Sequence, residues 1–265
     1  MIVFPNAKIN IGLNITARRS DGFHDIETVF YPVELCDCLE FVENHRNTDR
    51  FETSGITIPS NGKPNLVERA LAKIREKYNI PPLDIHLIKK IPAGAGLGGG
   101  SSDAAFMINA LDTYFELKIS IDEKTKTAAS LGSDCAFFIK NTPSFASGRG
   151  DVFTETNIAK NLKIVLVKPD ISISTPMAYA KVKPQTPLYN LNQSVELPVK
   201  EWKNIVKNDF EQFLFPDFPQ LAQIKESLYN NGAIYASMTG SGSALFGIFD
   251  QEPNLDPELD KIRIL

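Results

Sequence analysis

Cysteine is scarce in this sequence. The 265 residues include three cysteines, Cys36, Cys38 and Cys135, and their spacing matches neither a CxxC pair nor a zinc finger. An odd number of cysteines without such spacing does not predict a disulfide framework or a structural zinc site. We therefore expect the three side chains to have packing roles.

Long apolar runs are also missing. The chain nowhere reaches the ~18 consecutive apolar residues that a membrane-spanning helix requires. Its first residues, MIVFPNAKIN, do not show the basic start and apolar stretch of a secretory signal. These absences predict a cytoplasmic protein without a membrane partner.

Positive charge is not in excess. The sequence has 28 Lys and Arg against 32 Asp and Glu, a formal net charge of -4 at pH 7. Proteins that bind nucleic-acid backbones cluster Lys and Arg to neutralise the polymer. We therefore expect no nucleic-acid partner, whereas small anionic ligands stay possible because a few local donors can hold them.

A steady alternation of strands and helices is absent as well. Apolar and polar residues alternate from Ala7 to Ile15, which predicts a half-buried strand with Lys8 and Asn10 on its polar face. Further strands are predicted in LDIHLIKKI, KIVLV and residues 244 to 249, and helices after Asn65, after Gly100, over 124–131, over 202–206 and from Asp217 to about Gly232. Gly132 is placed to end the predicted helix over 124–131 in a left-handed conformation. The irregular mixture indicates the α+β class.

The length suits two modest domains or a single large one, at roughly 150 residues per domain. Residues 144 to 156 are polar and contain glycine, and they precede the predicted strand KIVLV. This composition predicts a boundary, with an N-terminal domain over 1–150 and a C-terminal domain over 151–265.

The most informative segment is rich in glycine. Residues 94 to 100 contain five glycines, and Ser101, Ser102 and Asp103 then open an apolar helical pattern. Glycine permits positive φ angles and lets backbone amides approach an anion, while a helix start adds unpaired donors and a favourable dipole. Serine hydroxyls can bind phosphate oxygens or ligate Mg²⁺. The pattern predicts a phosphate-binding loop.

Other interpretations of this loop are available. The spacing Gly94-x-Gly96-x-x-Gly99 also satisfies the dinucleotide fingerprint, but Pro92 separates it from the preceding strand and it lies in the middle of the chain. The Walker pattern is absent because no GK[ST] follows a glycine at the required spacing. A flexible connector is a third interpretation, although a linker does not require two serines and an immediate helix.

The segment PAGAGLGGGSSDAA, residues 92 to 105, resembles the phosphate-binding motif of the GHMP small-molecule kinases. Residues 7 to 14 resemble the N-terminal strand of that family, and SMTGSG, residues 237 to 242, resembles its glycine-rich C-terminal motif. Other pieces of the resemblance follow in order along the chain, namely DGFHDIET, NLVERA, LGSDCAFF, STPMAY and NDFE. The resemblance implies a two-lobed α+β kinase with its active site in the cleft between the lobes, using ATP and Mg²⁺.

The pieces are most similar to the branch of this family whose small-molecule substrate carries a cytidine diphosphate. Other family kinases, and a catalytically silent sugar or nucleotide sensor on the same fold, remain alternatives. A nicotinamide-binding protein is a more distant alternative. The resemblance does not predict an oligomeric state.

The resemblance also implies site residues. Asp134 is expected to accept the proton of the substrate hydroxyl, a role that contributes typically 10² to 10⁴-fold, and Lys8 is expected to be its partner. The residues expected to bind the nucleotide are Asn65, Pro92, Gly94, Ala95, Gly96, Leu97, Gly98, Gly99, Gly100, Ser101 and Ser102. Those expected to bind the acceptor substrate are Asn10, Phe23, His24, Tyr179 and Gly240. No residue is assigned as a metal ligand.

Each of these residue types also has an ordinary structural role. Asp134 by itself is typical of a helix cap or turn, and Lys8 of a solvated side chain. A lone histidine such as His24 is usually structural, and Asn65 is well placed to cap a helix. By the resemblance, Phe23 stacks on a cytosine that His24 reads, and Tyr179 closes the other face of the base.

Overall fold

The computed structural model describes residues 1–58 and 62–265. The described chain forms two compact units, each discontinuous in sequence. The first unit comprises Met1–Ala7, Glu34–Ala93 and Gly98–Thr142, and the second comprises Lys8–Val33, Gly94–Leu97 and Pro143–Leu265. The division into 1–150 and 151–265 describes domains contiguous in sequence and stays a prediction. Residues 8 to 33 belong to the second unit together with residues 143 to 265.

The first unit combines a four-stranded sheet with helices. Its strands are β1 (Ile2–Val3), β4 (Cys38–Glu43), β5 (Arg50–Gly55) and β6 (Leu83–Lys89), in the order β1-β4-β6-β5. Its helices are α1 (Leu66–Arg75), α2 (Gly99–Tyr114), α3 (Ile121–Leu131) and α4 (Cys135–Lys140). Neighbouring strands are antiparallel except β5 and β6, which are parallel.

Alternation along β6 decides which face of this sheet is covered. Leu83, Ile85 and Leu87 are buried, whereas the residues between them are partly exposed, as a period of two dictates. The edge of the Phe41 ring on β4 meets Tyr114 of α2, with 5.4 Å between ring centroids. Helix α2 therefore packs on the sheet, and Asp103 near its start contacts Lys89 at the end of β6.

The second unit contains two sheets. One has the order β2-β3-β7-β8 and is formed by β2 (Asn6–Arg18), β3 (His24–Cys36), β7 (Ser144–Ser147) and β8 (Val152–Thr154). The other has the antiparallel order β10-β11-β9 and is formed by β9 (Lys163–Val167), β10 (Tyr235–Met238) and β11 (Leu245–Phe249). The helices are α5 (Thr175–Lys181), α6 (Leu191–Ser194), α7 (Trp202–Ile205), α8 (Asp209–Leu214), α9 (Pro219–Asn230) and α10 (Pro257–Lys261), with a 3₁₀ turn at Val199–Glu201. The α+β class is confirmed, with 32% of residues in helices and 27% in strands.

Strand β2 is more buried than its alternation predicted. Its apolar face is buried as expected, with Ile9 and Ile11 both 0% exposed. The prediction of a half-buried strand is wrong, because the polar residues Lys8, Asn10 and Asn14 on the other face are also buried. A buried polar group requires a partner, so these side chains must be held by hydrogen bonds.

The polar stretch over 144–156 is not a linker. Residues 144–147 and 152–154 form the antiparallel pair β7 and β8, and β7 pairs in turn with β3. The intervening glycines Gly148 and Gly150 have φ of +65° and +85°, which the turn of this hairpin requires. Glycine and polarity here mark a β-turn, and the predicted boundary at residue 150 falls within it.

Helix limits follow local capping chemistry. Ser120 caps α3 by accepting from Glu123 N, so this helix begins before the predicted residue 124. The left-handed stop predicted at Gly132 is wrong, because φ at Gly132 is 178°, an extended conformation. The predicted stop at Gly232 is confirmed in its place after α9, where φ is +93°.

Candidate active site

The glycine-rich segment forms a tight loop before helix α2. Gly94, Gly96 and Gly98 have φ of +66°, +81° and +71°, values that residues with a Cβ rarely adopt. A Cβ at Gly96 would lie 2.2 Å from the carbonyl oxygen of Thr239. The glycines therefore permit both the path of the loop and its close packing against the turn that contains Thr239.

Hydrogen bonds hold the carbonyl oxygens of this loop. Leu97 O accepts from Lys8 N at 3.0 Å, and Gly96 O accepts from Lys8 Nζ at 3.0 Å and from Thr239 Oγ1 at 3.3 Å. Within residues 1–58 and 62–265, no protein acceptor takes the amide hydrogens of residues 94 to 101. Because its carbonyls are engaged and its amides are not, the loop offers donors to an anion.

Buried side chains limit which atoms of the loop can touch a nucleotide. Ala95 and Leu97 are each 1% exposed, so they can contribute only backbone groups. Ser102, in the first turn of α2, is fully buried, and its Oγ has no hydrogen-bond partner among the described residues. An unpaired buried hydroxyl is costly. Its position at a helix start suits a phosphate oxygen or a hydrated Mg²⁺.

Lys8 is held in a polar network and is not solvated. Its Nζ donates to Asn10 Oδ1 at 2.7 Å as well as to Gly96 O, and it lies 4.8 Å from the centroid of the Phe30 ring. Asn10 Nδ2 donates in turn to Thr28 Oγ1 at 3.0 Å. The predicted pair Lys8 and Asn10 thus shares one face of β2, beside the glycine loop.

The turn after β10 lies against the same loop. Gly240 has φ of +55°, and a Cβ there would be 3.2 Å from Gly96 Cα. Asn208 Nδ2 donates to the carbonyl oxygens of Met238 at 2.7 Å and Gly240 at 2.9 Å. The second unit therefore brings together four of the predicted site residues, namely Lys8, Asn10, Gly96 and Gly240.

The predicted base-binding residues also lie in the second unit. The His24 and Tyr179 rings stack with centroids 4.9 Å apart and an interplanar angle of 24°. Phe23 is 57% exposed, and its ring faces Arg149, whose guanidinium carbon is 5.3 Å from the centroid. The structure thus brings Tyr179 to His24, while a sandwich of Phe23 and Tyr179 around a base stays a prediction.

Burial affects the protonation of His24. Desolvation, with a smaller contribution from Arg18, lowers the pKa of His24 below its ordinary value of 6.5. The imidazole is therefore neutral at pH 7 and keeps one donor and one acceptor nitrogen. A neutral ring with both functions can pair with the edge of a nucleobase.

Asn65 and Pro92 lie in the first unit with the start of α2. Asn65 Oδ1 accepts from Val67 N at 2.9 Å, and Glu68 Oε2 accepts from Asn65 N at 2.7 Å, which is a complete capping box. A Cβ at Gly100 would be 3.6 Å from Leu66 Cδ1. Asn65 is therefore a helix cap whose helix begins beside the glycine loop, and its nucleotide role stays a prediction.

Asp134 stands at the N-terminus of α4. It is half-buried, and its side chain makes no capping hydrogen bond to the helix. Ser133 Oγ donates to Asp134 Oδ1 at 3.4 Å. Asp134 thus occupies the position before α4 without capping the helix through its side chain, and its catalytic role stays a prediction.

Comparison with known proteins decides the family. The profile of the GHMP kinases N terminal domain matches residues 65–142, and that of the GHMP kinases C terminal domain matches residues 199–264. A 4-diphosphocytidyl-2-C-methyl-D-erythritol kinase of Bacteroides fragilis is 48% identical over 258 residues, which cover 96% of this chain and 94% of that protein. The chain belongs to the GHMP kinases.

Other comparisons agree with this family. The protein of the same name from Azobacteroides pseudotrichonymphae is 50% identical over 251 residues, covering 94% of this chain and 93% of the relative. A crystal structure of 4-(cytidine 5'-diphospho)-2C-methyl-D-erythritol kinase superposes with a TM-score of 0.78 at 29% identity, covering 94% of this chain and 90% of that one. A mevalonate kinase of Methanococcus jannaschii shares the fold, with a TM-score of 0.69 at 14% identity, covering 98% of this chain and 92% of that one.

The chain is accordingly a kinase with a small-molecule substrate, and its family membership supports ATP as the phosphoryl donor. No helix within residues 1–58 and 62–265 combines the length and apolar character needed to span a bilayer. The described residues contain no group of three or more His, Cys, Asp or Glu side chains placed to hold a metal ion. In this GHMP kinase, the Oγ of Ser102 is one of the buried oxygens without a hydrogen-bond partner among the described residues.

Sequence analysis did not single out two threonines that support this GHMP kinase site. Thr239 Oγ1 accepts from Asn10 N at 2.9 Å, and Thr28 Oγ1 donates to the carbonyl oxygen of Gly12 at 2.6 Å while accepting from Asn10. Both threonines are fully buried. They lie inside the motifs DGFHDIET and MTGSG, so the motif matches were the signal that could have found them.

The motif NDFE, residues 208 to 211, forms hydrogen bonds with the turn that contains Gly240 and with the end of β10. Besides Asn208, it contributes Glu211, whose Oε1 accepts from Met238 N at 2.8 Å and from Ser237 Oγ at 2.9 Å. Lys225 provides the opposite charge for this carboxylate. The motif therefore has a positioning role in this GHMP kinase, which its resemblance alone did not specify.

Proposed function

We propose that this kinase transfers the γ-phosphoryl group of ATP to the hydroxyl at position 2 of 4-diphosphocytidyl-2-C-methyl-D-erythritol, in the non-mevalonate pathway to isoprenoid precursors. The observation that carries the proposal is the 48% identity, over 96% of the chain, to a relative with that substrate in its name.

The glycine loop would hold the phosphates of ATP. The amides of residues 94 to 101 have no acceptor within the described protein, and each negative charge at a helix N-terminus gains about 0.3 to 1 kcal/mol. Ser101 and Ser102 would add hydroxyl contacts to phosphate oxygens or to Mg²⁺. The metal ion, when bound with ATP, neutralises charge on the phosphates.

The acceptor hydroxyl would react by direct in-line attack on the γ-phosphorus. Asp134 would take the hydroxyl proton, and the ammonium of Lys8 would stabilise the negative charge on the reacting oxygens. Phosphoryl transfer depends chiefly on positioning and charge stabilisation, so no phosphoenzyme is required. The fixed contacts of Lys8 with Asn10 and Gly96 suit such a role because they hold its charge in place before substrate arrives.

The cytidine would be read by the aromatic residues of the second unit. His24 is neutral at pH 7 and can donate to and accept from the edge of cytosine. Phe23 and Tyr179 offer aromatic surfaces for stacking on the base. A plain alcohol substrate has no base to occupy this part of the site.

An ADP-release assay tests both the substrate and the base. The parent should turn over with the diphosphocytidyl substrate and not with homoserine or mevalonate at equal concentration. Asp134→Asn should lower kcat by about 10² to 10⁴-fold, since it removes the proton acceptor, while its affinity for ADP in calorimetry stays at the parent value.

Asp122→Asn is the matched control, because Asp122 is an exposed carboxylate in the first turn of α3 in the same unit. It should turn over like the parent. Equal turnover of parent and Asp134→Asn would contradict the assignment of the base. Preference for an alcohol without cytidine would contradict the proposed substrate.

A further inference from the structure

Three ionisable side chains lie buried beside the glycine loop. Lys89 Nζ contacts Asp37 Oδ2 and donates to Asp103 Oδ2 at 2.7 Å. The exposed fractions of Asp37, Lys89 and Asp103 are 1%, 4% and 1%. We call these residues the buried trio, and all of them belong to the first unit.

One side of the buried trio holds the chain just before the loop. Asp37 Oδ1 accepts from Lys90 N at 2.6 Å and from Ile91 N at 2.9 Å. These amides lie at the end of β6 and immediately precede Pro92, where the loop begins. Asp37 therefore fixes the entry of the loop through the backbone.

The other side holds the exit of the loop. Asp103 lies just after the first turn of α2, next to Ser102, and its Oδ2 accepts from Lys89 Nζ. A Cβ at Gly99 would be 3.2 Å from Lys89 Nζ and 2.8 Å from Ile91 Cγ2. The ammonium of Lys89 thus lies next to Gly99 and contacts both Asp37, which binds the chain before the loop, and Asp103, which follows the loop.

Stability alone does not explain the buried trio. Removing charges from water costs several kcal/mol per ion, and apolar replacements of buried ion pairs are often neutral or stabilising. The trio places two carboxylates around a single ammonium, and Asp103 Oδ1 has no partner among the described residues. Such an arrangement costs desolvation free energy that an apolar core does not. It does, however, hold the backbone before the loop in a defined position relative to the start of α2.

We propose that Asp37, Lys89 and Asp103 are positioning residues that clamp both ends of the phosphate loop, so that its amides and the Ser102 hydroxyl meet the phosphates of the nucleotide. This inference rests on the proposed function, since it takes the loop to bind ATP. The trio acts through the backbone and does not touch the nucleotide. Loss of the clamp loosens the loop, and a small misplacement of binding groups is costly.

Asp103 offers the sharpest test because two substitutions separate its roles. Asp103→Asn keeps an oxygen that can accept from Lys89, whereas Asp103→Leu removes the acceptor and leaves Lys89 paired with Asp37 alone. The leucine variant should fold, since it lowers the number of buried charges. We expect it to weaken ADP binding about tenfold in calorimetry and to raise the KM for ATP alike, with the asparagine variant staying within about twofold of the parent.

A matched control lies on the same helix. Asp112 of α2 accepts from Lys124 Nζ at 2.9 Å and from Ile119 N at 2.9 Å, away from the loop. Asp112→Asn should leave the affinity for ADP unchanged, whatever its effect on Tm. Lys89→Met, which removes the link between the ends, should weaken ADP binding at least as much as Asp103→Leu.

The outcomes separate the alternatives. Parent-like ADP affinity in a folded Asp103→Leu variant, with or without a change in Tm, would overturn the positioning role. The KM for the alcohol acceptor should not change in that variant, and a rise there without a rise for ATP would also contradict the proposal. A failure of the proposed substrate would appear in the turnover assay of the parent, whereas the nucleotide measurements would stand independently of it.

Discussion

Lys8 and Asn10, two residues apart on one strand, are joined by a hydrogen bond from Nζ to Oδ1 of 2.7 Å. The same ammonium donates to the carbonyl oxygen of Gly96, 88 residues away. Because Lys8 is only 3% exposed, these contacts replace water around its charge. The lysine is therefore a buried cation beside the phosphate loop, held by side-chain and backbone oxygens of the protein.

Replacing Lys8 should reduce catalysis far more than stability. Lys8→Met keeps the length of the side chain and removes the charge, so we expect kcat to fall by about 10² to 10³-fold, the cost of losing a positioned charge in a phosphoryl-transfer site. Steady-state kinetics with the cytidine substrate measure this effect. Lys203→Met is the control, since Lys203 is an exposed lysine over the Tyr229 ring. An unchanged kcat in Lys8→Met would remove the lysine from the mechanism.

The glycines of the loop should differ in their tolerance of a methyl group. At Gly94 a Cβ has open space, but φ is +66°, so Gly94→Ala should cost about 1 to 2 kcal/mol of unfolding free energy. At Gly96 the Cβ would also collide with the Thr239 carbonyl at 2.2 Å. Gly96→Ala should therefore lose more stability than Gly94→Ala and should also weaken ADP binding. Urea unfolding and calorimetry would show this order, and equal effects of the two substitutions would contradict it.

Binding of the cytidine substrate should depend on pH through His24. Burial lowers the pKa of His24 below its ordinary value of 6.5, so the ring becomes charged at a lower pH than that of an exposed histidine. The KM for the cytidine substrate should rise as pH falls through the pKa of His24, because protonation removes the acceptor nitrogen. In His24→Gln, which has an amide that does not titrate, this rise should be absent. A parent KM with the same pH dependence as that of His24→Gln would exclude the role of His24 in reading the base.

The pH dependence of thermal stability should also reflect the ionisation of Asp103 in the buried trio. Burial raises the pKa of Asp103 from 3.8 to about 7, an effect that Lys89 opposes and Asp37 reinforces. Between about pH 4 and pH 7 the Asp103 carboxyl loses its proton more readily in the unfolded chain than in the native protein. The stabilisation that this bound proton gives the native protein is therefore present at low pH and is lost as pH rises. The Tm of the parent, relative to that of Asp103→Asn, should fall over this range and level off above it. Thermal unfolding at a series of pH values measures the difference, and an opposite slope would show that Asp103 is ionised throughout.

Much of the local structure could be predicted from short stretches of sequence. The capping box at Asn65 follows from the residues of one helical turn. The positive φ angles at Gly94, Gly96 and Gly98 occur where glycine is the residue that adopts them without strain. The same composition at residues 144 to 156 did not reveal the hairpin of β7 and β8, since glycine and polar residues are equally typical of a linker and of a β-turn.

Burial of polar residues could not be predicted in this way. Alternation along β2 placed Lys8 and Asn10 on a polar face, and that face is buried. The reason lies in partners that are distant in sequence, such as Thr239, 229 residues from Asn10. A period of two specifies which residues share a face, but not what covers that face.

The amino-acid sequence by itself determined the glycine loop, the helix that follows it and the kinase family, because each depends on neighbouring residues or on ordered motifs. Only the tertiary structure decided that Lys8 is a buried and fixed cation, that His24 stacks on Tyr179, and that Asp37, Lys89 and Asp103 join the two ends of the loop. These contacts connect segments separated by tens to hundreds of residues. Their formation depends on which strands pair and which faces are covered, and no local pattern carries that information.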